Sequence, residues 1–330
     1  MDDAILDAKN LSIHYPTFEG VVKAVNRVDF KIPRGEVVGL VGESGCGKST
    51  LGLSILRLIR HPGKIAGGEV IFNGEDILKK PEKSLRGLRG SKISMVFQDP
   101  MMSLNPLFRI ERHFLETMKS HNKDFKKREA MEKVEGLVEH LGISSNRLYD
   151  YPHQLSGGMR QRVMIGLGLI LEPELIIADE PTNSLDVIVE AHFLDLLKGL
   201  KEEYNLTILL ITHNMGIVAE LADRVTVMYA GRIVEEAEVA TLFDNPLHPY
   251  TEGLLSSIPN IDAKVKTISC MPGSPPNLMS LPEGCSFHPR CPKVMDICKK
   301  KIPKNVVING GGKNGERSVE CFLYGEKSDG

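Results

Sequence analysis

A glycine-rich segment that ends in a lysine and two hydroxyl residues has the composition of a phosphate-binding loop. Its members are Gly42, Glu43, Ser44, Gly45, Cys46, Gly47, Lys48, Ser49 and Thr50. They match the pattern G-x-x-x-x-G-K-S/T, in which successive backbone N–H groups surround phosphate oxygens. Lys48 would place its ammonium near the β- and γ-phosphates, and the hydroxyl of Ser49 would be a ligand of Mg²⁺. The segment therefore predicts a site for a nucleoside triphosphate with its magnesium ion.

Two adjacent carboxylates could complete such a site. Asp179 and Glu180 directly follow the apolar residues 175–178. We expect Asp179 to orient Mg²⁺ and Glu180 to polarise the attacking water, because phosphoryl transfer requires mainly positioning and charge neutralisation. An acidic pair after an apolar run is weak evidence alone, but with the phosphate loop it predicts nucleotide hydrolysis.

Short apolar runs would position these groups. Three of them precede residues that could do chemistry: Val37–Val41, residues 175–178 and Thr207–Thr212. Continuous apolar runs are typical of parallel strands covered on both faces, and functional groups lie just past the carboxyl ends of such strands. A helix is predicted after the phosphate loop, with four apolar residues on one face: Leu51, Ile55, Leu58 and Ile59.

Three other regions differ from this core in composition. The valines around Val21 and Val25 indicate an antiparallel sheet, and residues 129–141 have apolar side chains at helical spacing. After about Thr241 prolines become frequent, which predicts a segment with little regular structure and a small core. We therefore expect an α/β core with a helical insertion and a C-terminal extension.

Residues 155–162, Leu-Ser-Gly-Gly-Met-Arg-Gln-Arg, resemble the signature of ABC ATPases. Ser156 with Gly157 and Gly158 at a predicted helix start forms a second anion site. The resemblance implies that this site, together with Gln161, faces the γ-phosphate held by a second ATPase subunit.

The same resemblance gives roles to residues that would be unremarkable alone. Tyr15 resembles the aromatic residue that stacks on adenine, and Gln98, after a strand predicted at residues 94–97, resembles the glutamine that touches Mg²⁺ and water. The segment Ser184-Leu185-Asp186 resembles the D-loop, and His213 is similar to the switch histidine that contacts the γ-phosphate. The implied catalytic residues are Lys48, Gln98, Glu180 and His213, and the implied magnesium ligands are Ser49, Gln98 and Asp179.

The C-terminal extension makes the resemblance more specific. Pro246-Leu-His248-Pro249-Tyr250-Thr251 and the segment 281–292 look like the extension of ATP-binding subunits of bacterial dipeptide and oligopeptide ABC importers. Nickel importers share this extension. The resemblance implies a RecA-like P-loop ATPase core with an antiparallel β-subdomain in residues 1–98 and 159–240, a helical subdomain in 99–158, and the extension in 241–330.

Such a chain would hydrolyse ATP to drive uptake through other subunits. The implied partners are two integral-membrane permeases, an extracytoplasmic binding protein and a second ATPase, which we expect to be a paralogue. The chain would lie at the cytoplasmic face of the cell membrane as a peripheral subunit. The cargo, peptide or nickel, is not determined by the residues.

Composition argues against other classes of ATPase. The 330 residues carry a net charge of -2, so nothing directs the surface toward nucleic acid, as an ABC ATPase acting on nucleic acid or ribosomes would need. An interaction protein with a degenerate ATPase fold would not need the intact Lys48, Asp179, Glu180 and His213. We expect no signal peptide, and the apolar residues 163–171 are too few to span a bilayer.

Four cysteines of the extension suggest a metal site: Cys285, Cys291, Cys298 and Cys321. Their spacing lacks the paired C-x₂-C of most structural zinc sites, although thiolates suit iron–sulfur clusters and zinc alike. The family resemblance favours a 4Fe–4S cluster, with zinc as the alternative. Cys270 falls outside the pattern and is interpreted as a small hydrophobic residue. We expect loss of the cysteine site to leave nucleotide binding at Lys48 largely intact.

Overall fold

The computed structural model describes residues 4–99, 103–183, 185–257, 271–309 and 316–325. Ser184 of the predicted D-loop and Cys270 lie outside the described residues. The chain divides into two compact units, residues 1–79 with 210–330, and residues 80–209. The three-part division predicted from the sequence stays a prediction.

The secondary structure alternates between strands and helices. The strands, in chain order, are Ala4–Pro16 (β1), Val21–Pro33 (β2), Val37–Val41 (β3), Lys64–Phe72 (β4), Glu75–Asp76 (β5), Ile93–Val96 (β6), Leu175–Asp179 (β7), Thr207–Thr212 (β8), Arg224–Tyr229 (β9), Arg232–Glu238 (β10), Val306–Asn309 (β11) and Glu316–Val319 (β12). The α-helices are Lys48–Ile55 (α1), Glu82–Leu88 (α2), Ile110–His121 (α3), Lys127–His140 (α4), Gly157–Leu169 (α5), Val187–Tyr204 (α6), Met215–Leu221 (α7), Val239–Asp244 (α8) and Pro249–Ser256 (α9). Short 3₁₀ turns cover Ser145–Tyr149, Pro152–Gln154, His288–Arg290 and Asp296–Lys299.

An antiparallel sheet forms the N-terminal part of the first unit, as predicted. Its strand order is β2-β1-β4-β5. Ile13 lies opposite both Val25 of β2 and Ile65 of β4, and is itself fully buried. Leu6, Ala8 and Leu11 of the same strand are also buried, so β1 forms the apolar centre of this sheet.

The strand before the phosphate loop is a buried parallel strand. Each residue of β3 is buried, and β3 runs parallel to β9, with Leu40 opposite Thr226. β9 pairs antiparallel with β10, β10 with β12, and β12 with β11. The pairing of β10 with β12 attaches the end of the C-terminal extension to the ATPase core, which the proline-rich composition did not predict.

Helix α1 is shorter than its apolar pattern predicts. Leu51 and Ile55 are buried, but the helix ends at Ile55, so the expectation that Leu58 and Ile59 continue its face was wrong. Arg57 adopts a left-handed φ of 51°, and the N–H of Leu58 donates to the carbonyl of Leu53. The left-handed residue and this hydrogen bond form a Schellman motif, which satisfies a carbonyl of the last helical turn and ends the helix.

The second unit contains the predicted helical region and two parallel strands. β6 runs parallel to β7, with Val96 opposite Ala178. Helix α4 covers the segment expected to be helical and buries Ala130, Val134 and Val138, which lie four residues apart on one face.

A buried carboxylate holds the start of the extension. Glu235 is fully buried and accepts hydrogen bonds from the backbone N–H groups of Leu247 and His248, at 2.8 and 2.9 Å. Arg317, whose side chain is 5% exposed, donates to the same carboxylate at 3.2 Å and to the Asn245 carbonyl at 2.7 Å. The segment before α9 is thereby fixed to β10.

Replacing Glu235 with alanine should lower the free energy of unfolding by roughly 3 kcal/mol, because the Arg317 guanidinium would remain buried without its carboxylate. Urea denaturation of the purified chain would measure the change. The matched control is Glu69→Ala, which removes an exposed partner of Lys79 at 3.4 Å and should cost about 1 kcal/mol or less. Equal losses in the two variants would contradict the structural role of Glu235.

Candidate nucleotide-binding site

The phosphate loop, residues 42–49, packs its backbone tightly against two neighbouring strands. Gly47 has φ 111°, and a Cβ there would lie 2.1 Å from the Ala24 carbonyl oxygen. Gly42 has φ 152°, and its Cβ would lie 2.2 Å from the Met228 carbonyl oxygen. Glycine at both positions is therefore required by conformation and by space.

Two backbone carbonyls of this loop hold the side chain of Lys48. The side chain is buried, and its ammonium donates to the carbonyl oxygens of Gly42 and Glu43 at 2.7 and 3.1 Å. Lys48 is also the first residue of α1, and Ser49 and Thr50 occupy the same helical turn. A cation and the N-terminus of a helix thus meet at one place, as anion binding requires.

Cys46 is a packed residue of the loop. It is buried, and its Sγ lies 4.0 Å from Lys48 Nζ. Burial raises the pKa of this thiol, so the side chain stays neutral at physiological pH. The Cys46 carbonyl accepts from the N–H of Gly231, which fixes the loop to the turn after β9.

Glu43 has partners that the sequence motifs did not reveal. Its carboxylate accepts two hydrogen bonds from Arg290, and its backbone N–H donates to Tyr250 Oη. Residues 43–46 also line a cavity of ≈ 170 Å³ with Pro275, Pro276 and Leu278. The motifs of the extension contained Arg290 and Tyr250, but nothing in their spacing indicated contact with a loop more than two hundred residues earlier.

Two other predicted site residues belong to the same unit. Tyr15 lies in β1 opposite Val22, and its ring packs on Gly63, where a Cβ would be 2.4 Å from the ring. His213 directly follows β8 and is exposed. Asn214 then begins α7 by accepting from the N–H of Gly216 with its side chain.

The predicted acidic residues lie at a strand end of the second unit. Asp179 is the last residue of β7 and is buried, and Glu180 follows it with a left-handed φ of 48°. Non-glycine residues in this conformation often mark functional sites, because the strain has to be held by surrounding structure. Gln98 follows the neighbouring parallel strand β6 and is exposed. Parallel pairing therefore puts Gln98 and the acidic pair beyond carboxyl ends at the same edge.

The signature segment begins helix α5 as expected. Ser156 is the N-cap, and its Oγ accepts from the N–H of Met159 at 3.3 Å. A Cβ at Gly158 would lie 2.7 Å from Val189 of α6, whereas Gly157 has open space. Gln161 is buried, and its Nε2 has no hydrogen-bond partner within the described part of the chain.

Asp186 of the predicted D-loop is also a helix cap. Its carboxylate accepts from the N–H of Val189 at 2.9 Å and begins α6. The next two residues, Val187 and Ile188, are exposed although apolar. The segment after Asp186 therefore offers an apolar surface at a helix start.

The four predicted metal-binding cysteines surround one cavity in the extension: Cys285, Cys291, Cys298 and Cys321. The backbone N–H of Cys285 donates to the carbonyl of Cys298, which brings two of the turns together. Burial raises the pKa of the Cys285 thiol to about 11 and also raises those of Cys291 and Cys321. Among the described residues, no three or more His, Cys, Asp or Glu side chains are grouped so that they could hold a metal, so the predicted metal site stays a prediction.

Comparisons with known proteins agree with the family resemblance of the sequence. Residues 25–183 match the family model described as ABC transporter, and residues 234–298 match the model described as oligopeptide/dipeptide transporter, C-terminal region. The chain is 46% identical over 326 residues to the oligopeptide transport ATP-binding protein AppD of Bacillus subtilis, covering 98% of each chain. It is 46% identical to OppD of Escherichia coli over 303 residues, covering 91% of this chain and 89% of the relative.

A solved structure is also similar. The dimeric structure of a bacterial ABC transporter cassette superposes with a TM-score of 0.64 at 28% identity. The match covers 71% of this chain and 98% of that cassette. The predicted α/β ATPase core is thereby confirmed.

Gly47→Ala should weaken ATP binding at least about 100-fold, since the added Cβ would force the loop away from Ala24 and disturb the N–H groups that face phosphate. Titration with a fluorescent ATP analogue would measure the dissociation constant. Gly74→Ala is the matched control: Gly74 has φ 81° but open space around its Cβ position and lies in the β4–β5 turn. If both variants bind ATP as the unmodified chain does, the close approach at Gly47 is not needed for binding.

Proposed function

Because this chain belongs to the family of ATP-binding subunits of oligopeptide and dipeptide ABC transporters, we propose that it hydrolyses ATP to drive peptide uptake through separate permease subunits. The observation that carries this proposal is the presence of both regions, the ATPase and the peptide-transporter C-terminal region, in one chain. Relatives named for oligopeptide and dipeptide transport align over nearly its whole length. These names favour a peptide over nickel as cargo.

The residues suit the steps of ATP hydrolysis. Lys48 neutralises charge on the β- and γ-phosphates, and Glu180 orients and polarises the attacking water. His213 contacts the γ-phosphate, and Tyr15 stacks on adenine. Mg²⁺ supplied with ATP would neutralise phosphate charge, and Ser49, Gln98 and Asp179 offer the oxygen ligands that this ion prefers. The buried carboxylate of Asp179 at the end of β7 supports this role.

A second ATPase subunit would complete each site. In this arrangement Ser156, Gly157 and Gly158 face the γ-phosphate bound by the partner, and the helix α5 directs its N-terminus at that phosphate. The exposed start of α6 after Asp186 supports a subunit contact there. The solved cassette is also described as dimeric. We expect the second ATPase to be a paralogue.

The remaining subunits would lie in the membrane. No helix in the described part of this chain is both long and apolar enough to cross a bilayer. The relatives are named as ATP-binding proteins of transport systems, which supports permeases and an extracytoplasmic binding protein as separate chains, with this subunit bound at the cytoplasmic face of the membrane. An action on nucleic acid has no support in the net charge of -2.

The four cysteines are proposed to hold a 4Fe–4S cluster. They line one cavity from different turns, and a cluster needs thiolates spread around a group larger than one ion. Four thiolates suit zinc as well, so zinc stays the alternative metal. The cluster would join the turns of the extension in one arrangement.

Glu180→Gln should bind ATP but hydrolyse it at least about 100-fold more slowly, because the carboxylate that polarises water is lost. Phosphate release by the assembled transporter and retention of radiolabelled ATP would be measured together. Glu190→Gln, a change one turn into α6 in the same unit, serves as the control and should hydrolyse ATP normally. Normal hydrolysis by the Glu180 variant would remove Glu180 from the catalytic residues.

Protein purified without oxygen should be brown and contain about four iron atoms per chain, with broad absorption near roughly 400 nm, since thiolate-ligated iron–sulfur clusters have this composition. Cys291→Ser should lose most of the iron, whereas Cys46→Ser, at a buried cysteine outside the cavity, should retain it. A colourless protein with one zinc ion per chain would instead favour the alternative metal.

A further inference from the structure

The extension contacts the phosphate loop at two points of a single residue. Arg290 Nη1 and Nη2 donate to the two carboxylate oxygens of Glu43, at 2.7 and 2.9 Å. Tyr250 Oη accepts from the backbone N–H of Glu43 at 2.9 Å. Both the side chain and the backbone of one loop residue are therefore held by residues of the extension.

Arg290 is more buried, and makes more hydrogen bonds, than the arginine of an exposed ion pair. Its side chain is 5% exposed, and Nε donates to the carbonyl of Pro272 at 2.9 Å. Nη1 also reaches Tyr229 Oη at 3.4 Å. A bidentate guanidinium with most of its donors satisfied has a defined position, unlike exposed pairs that contribute little.

The turn that contains Arg290 is followed directly by one cysteine of the proposed cluster. Arg290 ends the 3₁₀ turn His288–Arg290 and directly precedes Cys291. The ring of Phe287, at the start of this turn, packs against Tyr229 and Tyr250 with centroid distances of 5.2 and 5.5 Å. The position of Arg290 thus depends on how this turn is folded.

Because Glu43 is negatively charged, its pairing with Arg290 affects phosphate binding. An unpaired carboxylate in a loop that binds a triphosphate would repel it, and like charges placed together are costly. Bidentate pairing with Arg290 neutralises that carboxylate, whose side chain is 26% exposed.

We propose that Arg290 is a positioning residue for ATP, which neutralises and holds Glu43 so that the phosphate loop accepts the triphosphate. ATP affinity then depends on the folded extension, in contrast to the independence expected from the sequence. The proposal rests on ATP binding at the phosphate loop, and Arg290 itself acts only through Glu43.

The test compares ATP dissociation constants of the full chain by titration with a fluorescent ATP analogue. Arg290→Gln should weaken binding about ten-fold, because Glu43 is left unpaired. Adding Glu43→Gln to that variant should restore most of the affinity for ATP. The affinity of Arg290→Lys should lie between those of Arg290→Gln and the unmodified chain. Raising the salt concentration should reduce the difference in ATP dissociation constant between Arg290→Gln and the unmodified chain, since screening weakens repulsion between charges. In the assembled transporter, Arg290→Gln should raise KM for ATP more than it lowers kcat.

Lys299→Gln is the matched control, because Lys299 directly follows Cys298 as Arg290 precedes Cys291, but pairs with Asp296 in solvent at 3.1 Å. It should bind ATP as the unmodified chain does. Thermal denaturation of each variant would show whether it is folded.

Three results would overturn the proposal. If Arg290→Gln binds ATP normally while Lys48→Ala does not, ATP binds at the phosphate loop but does not need Arg290. Failure of Glu43→Gln to restore affinity would mean that the loss is not electrostatic. Normal binding by Lys48→Ala would show that ATP does not bind at this loop, and both assignments would fail.

Discussion

The close contact between the phosphate loop and the carbonyl groups of two strands is the constraint on which the site depends. Gly47 faces the Ala24 carbonyl and Gly42 faces the Met228 carbonyl, with no room for a Cβ at either place. The loop therefore joins β2 of the antiparallel sheet to β9 of the parallel core. A loop held in this way keeps its N–H groups oriented before phosphate arrives, so little ordering has to occur on binding.

Buried polar groups give the C-terminal extension a definite structure despite its many prolines. Glu235 accepts from two backbone N–H groups and from Arg317, and without it the two N–H groups would lose their acceptor and Arg317 its carboxylate. His248 is buried as well, and its Nδ1 accepts from the N–H of Tyr250. Burial lowers the pKa of His248 to about 3, so the ring remains neutral and able to accept this bond. These satisfied polar groups add to the small apolar core of the extension.

The same anchoring gives the extension access to the nucleotide site. His248 and the start of α9 position Tyr250 so that its Oη accepts from the backbone N–H of Glu43. The 3₁₀ turn before Cys291 positions Arg290 so that it pairs with the Glu43 carboxylate. The cysteine cavity and the phosphate loop are therefore connected through one packed group of aromatic rings, formed by Tyr229, Tyr250 and Phe287. The region matched to the oligopeptide/dipeptide transporter C-terminal model, residues 234–298, thus contacts the phosphate loop, which lies in the region matched to the ABC transporter model.

Local patterns in the sequence determined the strands, the phosphate loop and the family. Val37–Val41 and Thr207–Thr212 are strands with the predicted bounds, because a continuous apolar run records burial on both faces. The loop was predictable since phosphate binding requires glycines, a lysine and a helix start at fixed spacing, whereas the signature was identified by its resemblance to that of ABC ATPases. Tertiary structure alone decided the end of α1 at Ile55, where a backbone motif at Arg57 overrides the apolar pattern of Leu58 and Ile59. It also decided that Arg290 pairs with Glu43, because contacts between residues far apart in the chain have no spacing from which they could be predicted.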